Sequence, residues 1–386
     1  MKDLKNHSLI KEINRAKILD TIRRNPMVAR SQIAQKTGLD KKSITNFVNE
    51  LLTEGLIEEA GRKENVSGRP FTMLRFCESY VAGIHIAPRF TRGVLLDLYG
   101  NIVSSYEEEY PIFSPRETIV EAIKNVYVRL TFGNSAISGI GLCLPGIIDL
   151  ESGIVLESVN LPGIRGLNYR EAFAEIIKHP FYVEEGSAAI ALAEKWFGRG
   201  RDYDDFVCVE VSGGIGSGII YQRRLFKGAG KYAGEIGHVV ITPGGKLCQC
   251  GNHGCLEAYT SETALLLEIN KLLPKPIDRL YYYQTGSISQ AEFKRLRECT
   301  GMAIGHGLAA MVNILSPRVI ILTGSVVTLF GDELLKSIRR GITESSLRGC
   351  AQNTKIYISE IELLDAMGAA TLPLARIFEV PDYYYV

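Results

Sequence analysis

"HVVITPGGKLCQCGNHGC", residues 238–255, holds three of the chain's eight cysteines and two of its six histidines in one short stretch. A disulfide, a redox pair and a metal site are the three chemistries such a loop can carry. Bridging Cys248 to Cys250 strains a disulfide, because the two Cα atoms are separated by a single residue. A redox pair is ordinarily spaced Cys-x-x-Cys, which the loop lacks. Tetrahedral zinc takes four nitrogen or sulfur ligands, and three Cys with one His is a closed structural set. The loop therefore reads as a structural zinc site with Cys248, Cys250 and Cys255, the fourth ligand being His238 or His253. Glycines 244, 245, 251 and 254 let the loop turn tightly around an ion. With four protein ligands no position is left for a reactive water, so the metal is expected to be structural and not hydrolytic.

The setting agrees with reduced thiols. The opening segment "MKDLKNHSLIKEINRAK" is polar and lacks the apolar run of a cleavable signal, and no stretch approaches the ~20 apolar residues of a membrane span. A cytoplasmic location is expected, with no membrane partner, and there clustered cysteines mean metal more often than disulfide. Cys77, Cys143, Cys208, Cys299 and Cys350 are scattered and are expected to act as small core hydrophobes. At 386 residues, 46% hydrophobic and 23% charged, the chain has the composition of an ordinary multidomain globular protein.

Charge is unevenly placed although the net is only +1. Residues 1–76 carry 15 Lys and Arg against 9 Asp and Glu, while the remainder carries 29 against 34. A basic head of this size fits a nucleic-acid-binding module on an acidic body. In residues 11–24 Ile13, Ala16, Ile18, Leu19 and Ile22 recur at helical spacing, and Asn25-Pro26 stops the helix. A short helix over 31–36 is expected to open on Ser31 as its cap. "TGLD" (37–40) turns at Gly38, and Asp40 caps a third helix running to about Glu54. Ile44, Phe47, Val48, Leu51 and Leu52 face inward on it, which leaves Lys41, Lys42, Ser43, Thr45, Asn46 and Asn49 on the outer face. This is a helix-turn-helix with the third helix reading the major groove of double-stranded DNA. After Gly55, two short strands around a Gly-rich loop form a wing, whose "SGRP" (67–70) can carry Arg69 into a minor groove.

From Cys77 onward the pattern alternates strands and helices. Three strands over 80–110, a helix near 115–130 and the strand-to-loop segment "ISGIGLCLPGIID" (137–149) come first. A second set of strands over 206–228, a long helix through "ECTGMAIGHGLAAMVNILSP" and the strand "RVIILTG" partly repeat that order. The expected body, residues 77–386, is two related α/β lobes around a cleft, behind a winged domain over 1–76.

The segments "GLCLPGIID", "VSGGIGSGII", "GEIGH" and "CQCGNHGCLE" resemble the ROK family of repressors and sugar kinases, and the winged head resembles its repressor branch. The resemblance implies an actin-like, two-lobed sugar kinase fold. It also favours His238, in "GEIGH", over His253 as the fourth zinc ligand. By the same resemblance Glu235, His238 and Glu257 contact a sugar, with Asn160 of "NLPG" beside them. Family kinases take their catalytic base from an Asn-Asp pair; the matching segment here is "VEEGSAAIALAE" (183–194), with Glu185 and Gly186 in those places. Their first phosphate loop is Asp-x-Gly-Gly-Thr, where this chain has "HIAPRFT" (85–91), and the "LTGS" segment lacks paired glycines. Glycine cannot accept a proton, and a positioned base contributes about 10²–10⁴ in rate. The expected protein is thus no enzyme but a sugar-sensing repressor, a homodimer or dimer of dimers on a palindromic operator. An active kinase with an accessory DNA-binding head, or a repressor answering to a protein partner, are the rival readings.

Overall fold

The computed structural model describes residues 2–63 and 70–378. The head comprises α1 (Lys2–Arg24), β1 (Val28–Ala29), α2 (Arg30–Thr37), α3 (Lys41–Thr53), β2 (Ile57–Lys63) and β3 (Phe71–Phe76). Helix α1 begins earlier than the apolar spacing indicated. Ser31 does not cap α2: it is exposed, and the cap position is Ala29. The end is sealed from the other side, because the Gln32 side chain reaches back to accept from the Ala29 N–H at 2.9 Å. Gly38 at φ +73° closes α2. Asp40 then accepts from the Ser43 N–H at 2.9 Å and starts α3. Ile44, Phe47, Val48 and Leu51 are buried with Ile18, Leu19, Ile22 and Ile33, and β1-β3-β2 form the small sheet of the wing.

The first lobe runs β4 (Tyr80–Ile86), β5 (Phe90–Asp97), β6 (Ile102–Glu109), α4 (Arg116–Thr131), β7 (Ile137–Leu144), β8 (Ile147–Asp149), β9 (Ile154–Glu157), α5 (Tyr169–Ala174), β10 (Phe181–Glu185) and α6 (Gly186–Phe197). The second runs β11 (Phe206–Val211), β12 (Ile215–Tyr221), β13 (Arg224–Phe226), α7 (Glu257–Thr260), α8 (Glu262–Asn270), α9 (Gln290–Leu315), β14 (Val319–Thr323), α10 (Ser325–Phe330), α11 (Asp332–Ser345), α12 (Arg348–Asn353), β15 (Lys355–Ile358) and α13 (Leu364–Ile377). The two large sheets have the orders β10-β7-β4-β5-β6 and β13-β12-β11-β14-β15. In each, three consecutive strands pair antiparallel, and two later strands add in parallel on the far side of the first. The same topology is therefore built twice, giving the two-lobed, actin-like body.

The last helix returns to the first lobe. A Cβ at Gly141 would lie 1.7 Å from the Ala369 carbonyl oxygen, and one at Gly83 would lie 2.2 Å from that of Ala366. Only glycines on β4 and β7 let α13 approach at backbone distance. Helix α6 is buried along almost its whole length. Its far end meets the head, where the Arg23 guanidinium donates to the Trp196 carbonyl at 3.2 Å and lies 5.3 Å from the Trp196 and Phe197 ring centres. Phe76, Tyr99, Trp196 and Phe378 complete this junction, so head and body share one apolar cluster. No helix among the described residues is long and apolar enough to cross a membrane.

Gly141→Ala forces α13 off the sheet and is expected to destabilise the body by about 1–3 kcal/mol. Gly349→Ala, where an added Cβ meets nothing within 4 Å, is the neutral control. Urea unfolding curves that coincide for the two variants would refute the packing role.

Candidate functional site

The cysteine loop is closed by local geometry. Val240 bridges Cys255, Leu247 bridges His253, and Gly251 and Gly254 adopt φ of +91° and +84°. A Cβ at Gly254 would fall 1.8 Å from the Thr242 carbonyl oxygen, so the loop tolerates nothing larger there. One ligand atom each from His238, Cys248, Cys250 and Cys255 lies within 4.8 Å of the others. His253 is exposed and outside that group. Cys250 Sγ and Cys255 Sγ are 3.8 Å apart, as are Cys248 Sγ and His238 Nδ1. A tetrahedron with Zn–S bonds of about 2.3 Å has S···S edges of about 3.8 Å, so the donor set fits a tetrahedral ion. Burial pushes the Cys248 thiol up to about 12 and raises Cys255 too; a bound cation is what makes thiolates the stable form. The group can hold a metal ion. Of the remaining cysteines, Cys143 and Cys208 are buried as expected, Cys77 and Cys350 are partly buried, and Cys299 is exposed on α9, contrary to the core role expected of it.

Next to the metal group lies the cleft. His238 turns Nδ1 to the sulfurs and Nε2 toward Glu235, 3.9 Å away. Glu257, first residue of α7 and 5% exposed, accepts from the Ile215 N–H at 2.8 Å. A Cβ at Gly214 would sit 2.4 Å from Asn160 Nδ2 and 3.0 Å from Glu257 Oε2. The expected sugar contacts Asn160 and Glu257 are thus brought together, and Gly214 is what admits them. The other glycines of "SGGIGSG" also face protein. Gly213 faces Pro88, Gly216 the Ser187 hydroxyl and Gly218 the Ala191 methyl. This glycine run is a packing surface for α6 and the β4–β5 turn.

Glu185 occupies the cap of α6, its two oxygens accepting from the Ser187 and Ala188 N–H groups at 2.9 Å. Two groups of this floor escaped sequence reasoning. His85, at the end of β4, presents Cε1 and Nδ1 at 3.4 and 3.8 Å from where a Gly186 Cβ would be. Glu210 is the penultimate residue of β11, and its signal was present in "FVCVEVSGG", a lone charge in an apolar strand. Arg92 binds Asp365 and Glu107 nearby, both at 2.7 Å. Burial pushes Glu185 up to about 7 and Glu210 up to about 8.

On α3 the residues Lys41, Lys42, Thr45, Asn46 and Asn49 are exposed. Ser43 is less available than expected, since its hydroxyl is bonded to Asp40 at 2.6 Å as part of the cap. The Thr45 hydroxyl donates to the Lys41 carbonyl at 2.8 Å. Arg69 lies outside the described residues.

Carboxyls held above their ordinary value bind protons in the folded state that the unfolded chain has released. Their contribution is complete below the unfolded value and is lost as pH rises through the folded one. Thermal stability is therefore expected to fall from about pH 4.5 to about pH 8 and to level off above that, and Glu210→Gln, which cannot titrate, should make that fall shallower. An unchanged slope in the variant would remove Glu210 from this account.

The family model described as ROK family matches residues 81–375. The chain is similar to the "Xylose repressor" of Caldicellulosiruptor bescii, 30% identical over 98% of this chain and 99% of that protein. It is also similar to the "DNA-binding transcriptional dual regulator NagC" of Escherichia coli, 28% identical over 95% and 93% of the two chains. Among solved structures, a ROK family transcriptional regulator homologous to the E. coli MLC protein superposes with a TM-score of 0.75 and 25% identity, covering 96% of this chain and 97% of that one. A ROK family glucokinase from Streptomyces griseus shares the body fold, with a TM-score of 0.65 and 24% identity over 76% of this chain and 99% of its own. The glycine-lined lobes, the His-Cys loop and these matches lead to one conclusion: the chain belongs to the ROK family.

Proposed function

We propose that the chain is a transcriptional repressor whose winged head binds operator DNA and whose two-lobed body binds a sugar without phosphorylating it. The observation that carries this reading is the course of α6. Its N-terminus enters the cleft at Glu185 and Gly186, and its C-terminus holds the head through Trp196 and Arg23. A ligand that shifts the first turn of α6 thus acts on a rigid element in contact with the DNA-binding module. Relatives named for xylose and N-acetylglucosamine regulation support a sugar as effector.

Catalysis lacks its parts. Gly186 supplies no base, His85 stands where the family's first phosphate loop has an acid, and Pro88 stands in that loop in place of a glycine, 3.5 Å from where a Gly213 Cβ would be. Phosphoryl transfer depends on positioning and charge stabilisation at those places. Asn160, Glu235 and Glu257 remain, and carboxylates and amides suit adjacent sugar hydroxyls. With Nδ1 of His238 on a metal, its proton sits on Nε2, which faces the cleft as a donor. A structural zinc on His238, Cys248, Cys250 and Cys255 fixes that imidazole and the start of α7. Two copies of the head on a two-fold axis would read a palindromic operator.

Zinc is expected at one ion per chain by elemental analysis, and Cys250→Ser should lower both metal content and melting temperature. Stoichiometric zinc retained in Cys250→Ser would refute the ligand set. For the head, anisotropy titrations against duplexes selected from random sequence should separate two effects. Lys42→Ala should weaken all duplexes alike, whereas Asn46→Ala should lose about 1–3 kcal/mol on the selected sequence alone. Selected-sequence binding undiminished in both variants would refute α3 as the reader.

A further inference from the structure

The His85 imidazole is 8% exposed, and its Nδ1 is buried with no hydrogen-bond partner. Buried ring nitrogens are ordinarily paired, and an orphan at the floor of a cleft points to an atom supplied from outside. The orphan nitrogen faces Gly186, where a Cβ would lie 3.8 Å from Nδ1 and 3.4 Å from Cε1, so the absent side chain leaves room for about one heavy atom between them. Asp365 and Arg92 are the charged groups near His85, Glu210 lies near Asp365 and Glu185, and Glu235 follows Glu185 toward Glu257. The cations that reach this floor are already held by carboxylates. Arg92 is paired with Glu107 and Asp365, and Lys227 with Glu184 at 2.6 Å.

Resting on the sugar-sensor reading above, we propose that the space between His85 and Gly186 is a recognition subsite that takes a hydroxyl group of an uncharged sugar and rejects a phosphorylated one. A hydroxyl both donates and accepts, so it satisfies Nδ1 in either tautomer of a neutral imidazole. Burial holds His85 neutral. A phosphate ester brings three charged oxygens to a space that admits about one heavy atom, and Arg92 and Lys227 are already paired with carboxylates. The position that carries the base in the kinases thereby becomes a reader of the group that kinases phosphorylate.

The test uses full-length protein, calorimetric titration and operator release, with D-xylose, D-glucose, N-acetylglucosamine, glucose 6-phosphate and N-acetylglucosamine 6-phosphate as probes. At least one neutral sugar should bind, and a phosphate ester should bind about tenfold or more weakly than its parent. Gly186→Ala is chosen because the fold accepts it: the new methyl makes ordinary contact with His85 at 3.4 Å and fills the subsite. It should lower sugar affinity about tenfold or more while leaving melting temperature unchanged. His85→Leu should give the same loss, and His85→Gln should restore part of it. Sugar binding that survives Gly186→Ala, or a phosphate ester that binds as tightly as its parent, overturns the subsite and leaves the sensor reading standing. Failure of every probe to bind or to change DNA affinity overturns the sensor reading, and the subsite with it.

Discussion

Helix α6 lies between the two lobes at backbone distance, and the other parts of the body are arranged around that closeness. Gly216 and Gly218 on β12 and Gly368 on α13 leave room for Ser187, Ala191 and Ala189, so strand, helix and helix pack with almost no side chain between them. A helix apolar on every side can be stable only when enclosed, and "GSAAIALAEKWF" is small enough to be enclosed this tightly. Its polar ends carry the specificity: Glu185 caps it in the cleft, and the Trp196 carbonyl receives Arg23 of the head. Close-packed interiors transmit displacement poorly by bending and well as rigid bodies, which makes this helix the natural link between cleft and DNA-binding module.

On the reading proposed above, a phosphate-handling fold serves as a ligand-reading one through few changes. The lobes and their duplicated sheets persist, as do the glycines, but the glycines now receive Pro88, Asn160, Ser187 and Ala191. Charge follows the same course. Arginine and lysine are tied to Asp365, Glu107 and Glu184, and the group left unpaired at the floor is the neutral His85 imidazole. Such a surface favours hydroxyls and disfavours a triphosphate with its metal.

Across the cleft, the His-Cys loop plays a positioning part. It sits between "GEIGH" and α7, so the same closure that gathers four ligand atoms within 4.8 Å also orients Glu235 and Glu257. Salt bridges Lys227–Glu184 and Lys231–Glu151 tie the lobes near this side, and Arg279 with Glu107 and Glu109 ties them on the other.

Sequence alone determined whatever depends on local spacing. The cysteine interval, the apolar period of α1 and α3, the turn at Gly38, the Asp40 cap and the loss of a side chain at Gly186 all follow from residues near one another in the chain. Ser31 failed as a cap for an equally local reason, since Gln32 competed for the same helix end and won. Tertiary structure decided what depends on distant segments meeting. It chose His238 over His253, because loop closure turns one imidazole inward and leaves the other in solvent. It set His85 against Gly186 and Glu210 beside Asp365, and it carried α13 back across Gly83 and Gly141 to the first lobe. It also brought Arg23 to the end of α6. None of these pairs shares a periodicity or a motif; each is selected by which surfaces can be buried together without leaving a charge unpaired or a backbone obstructed.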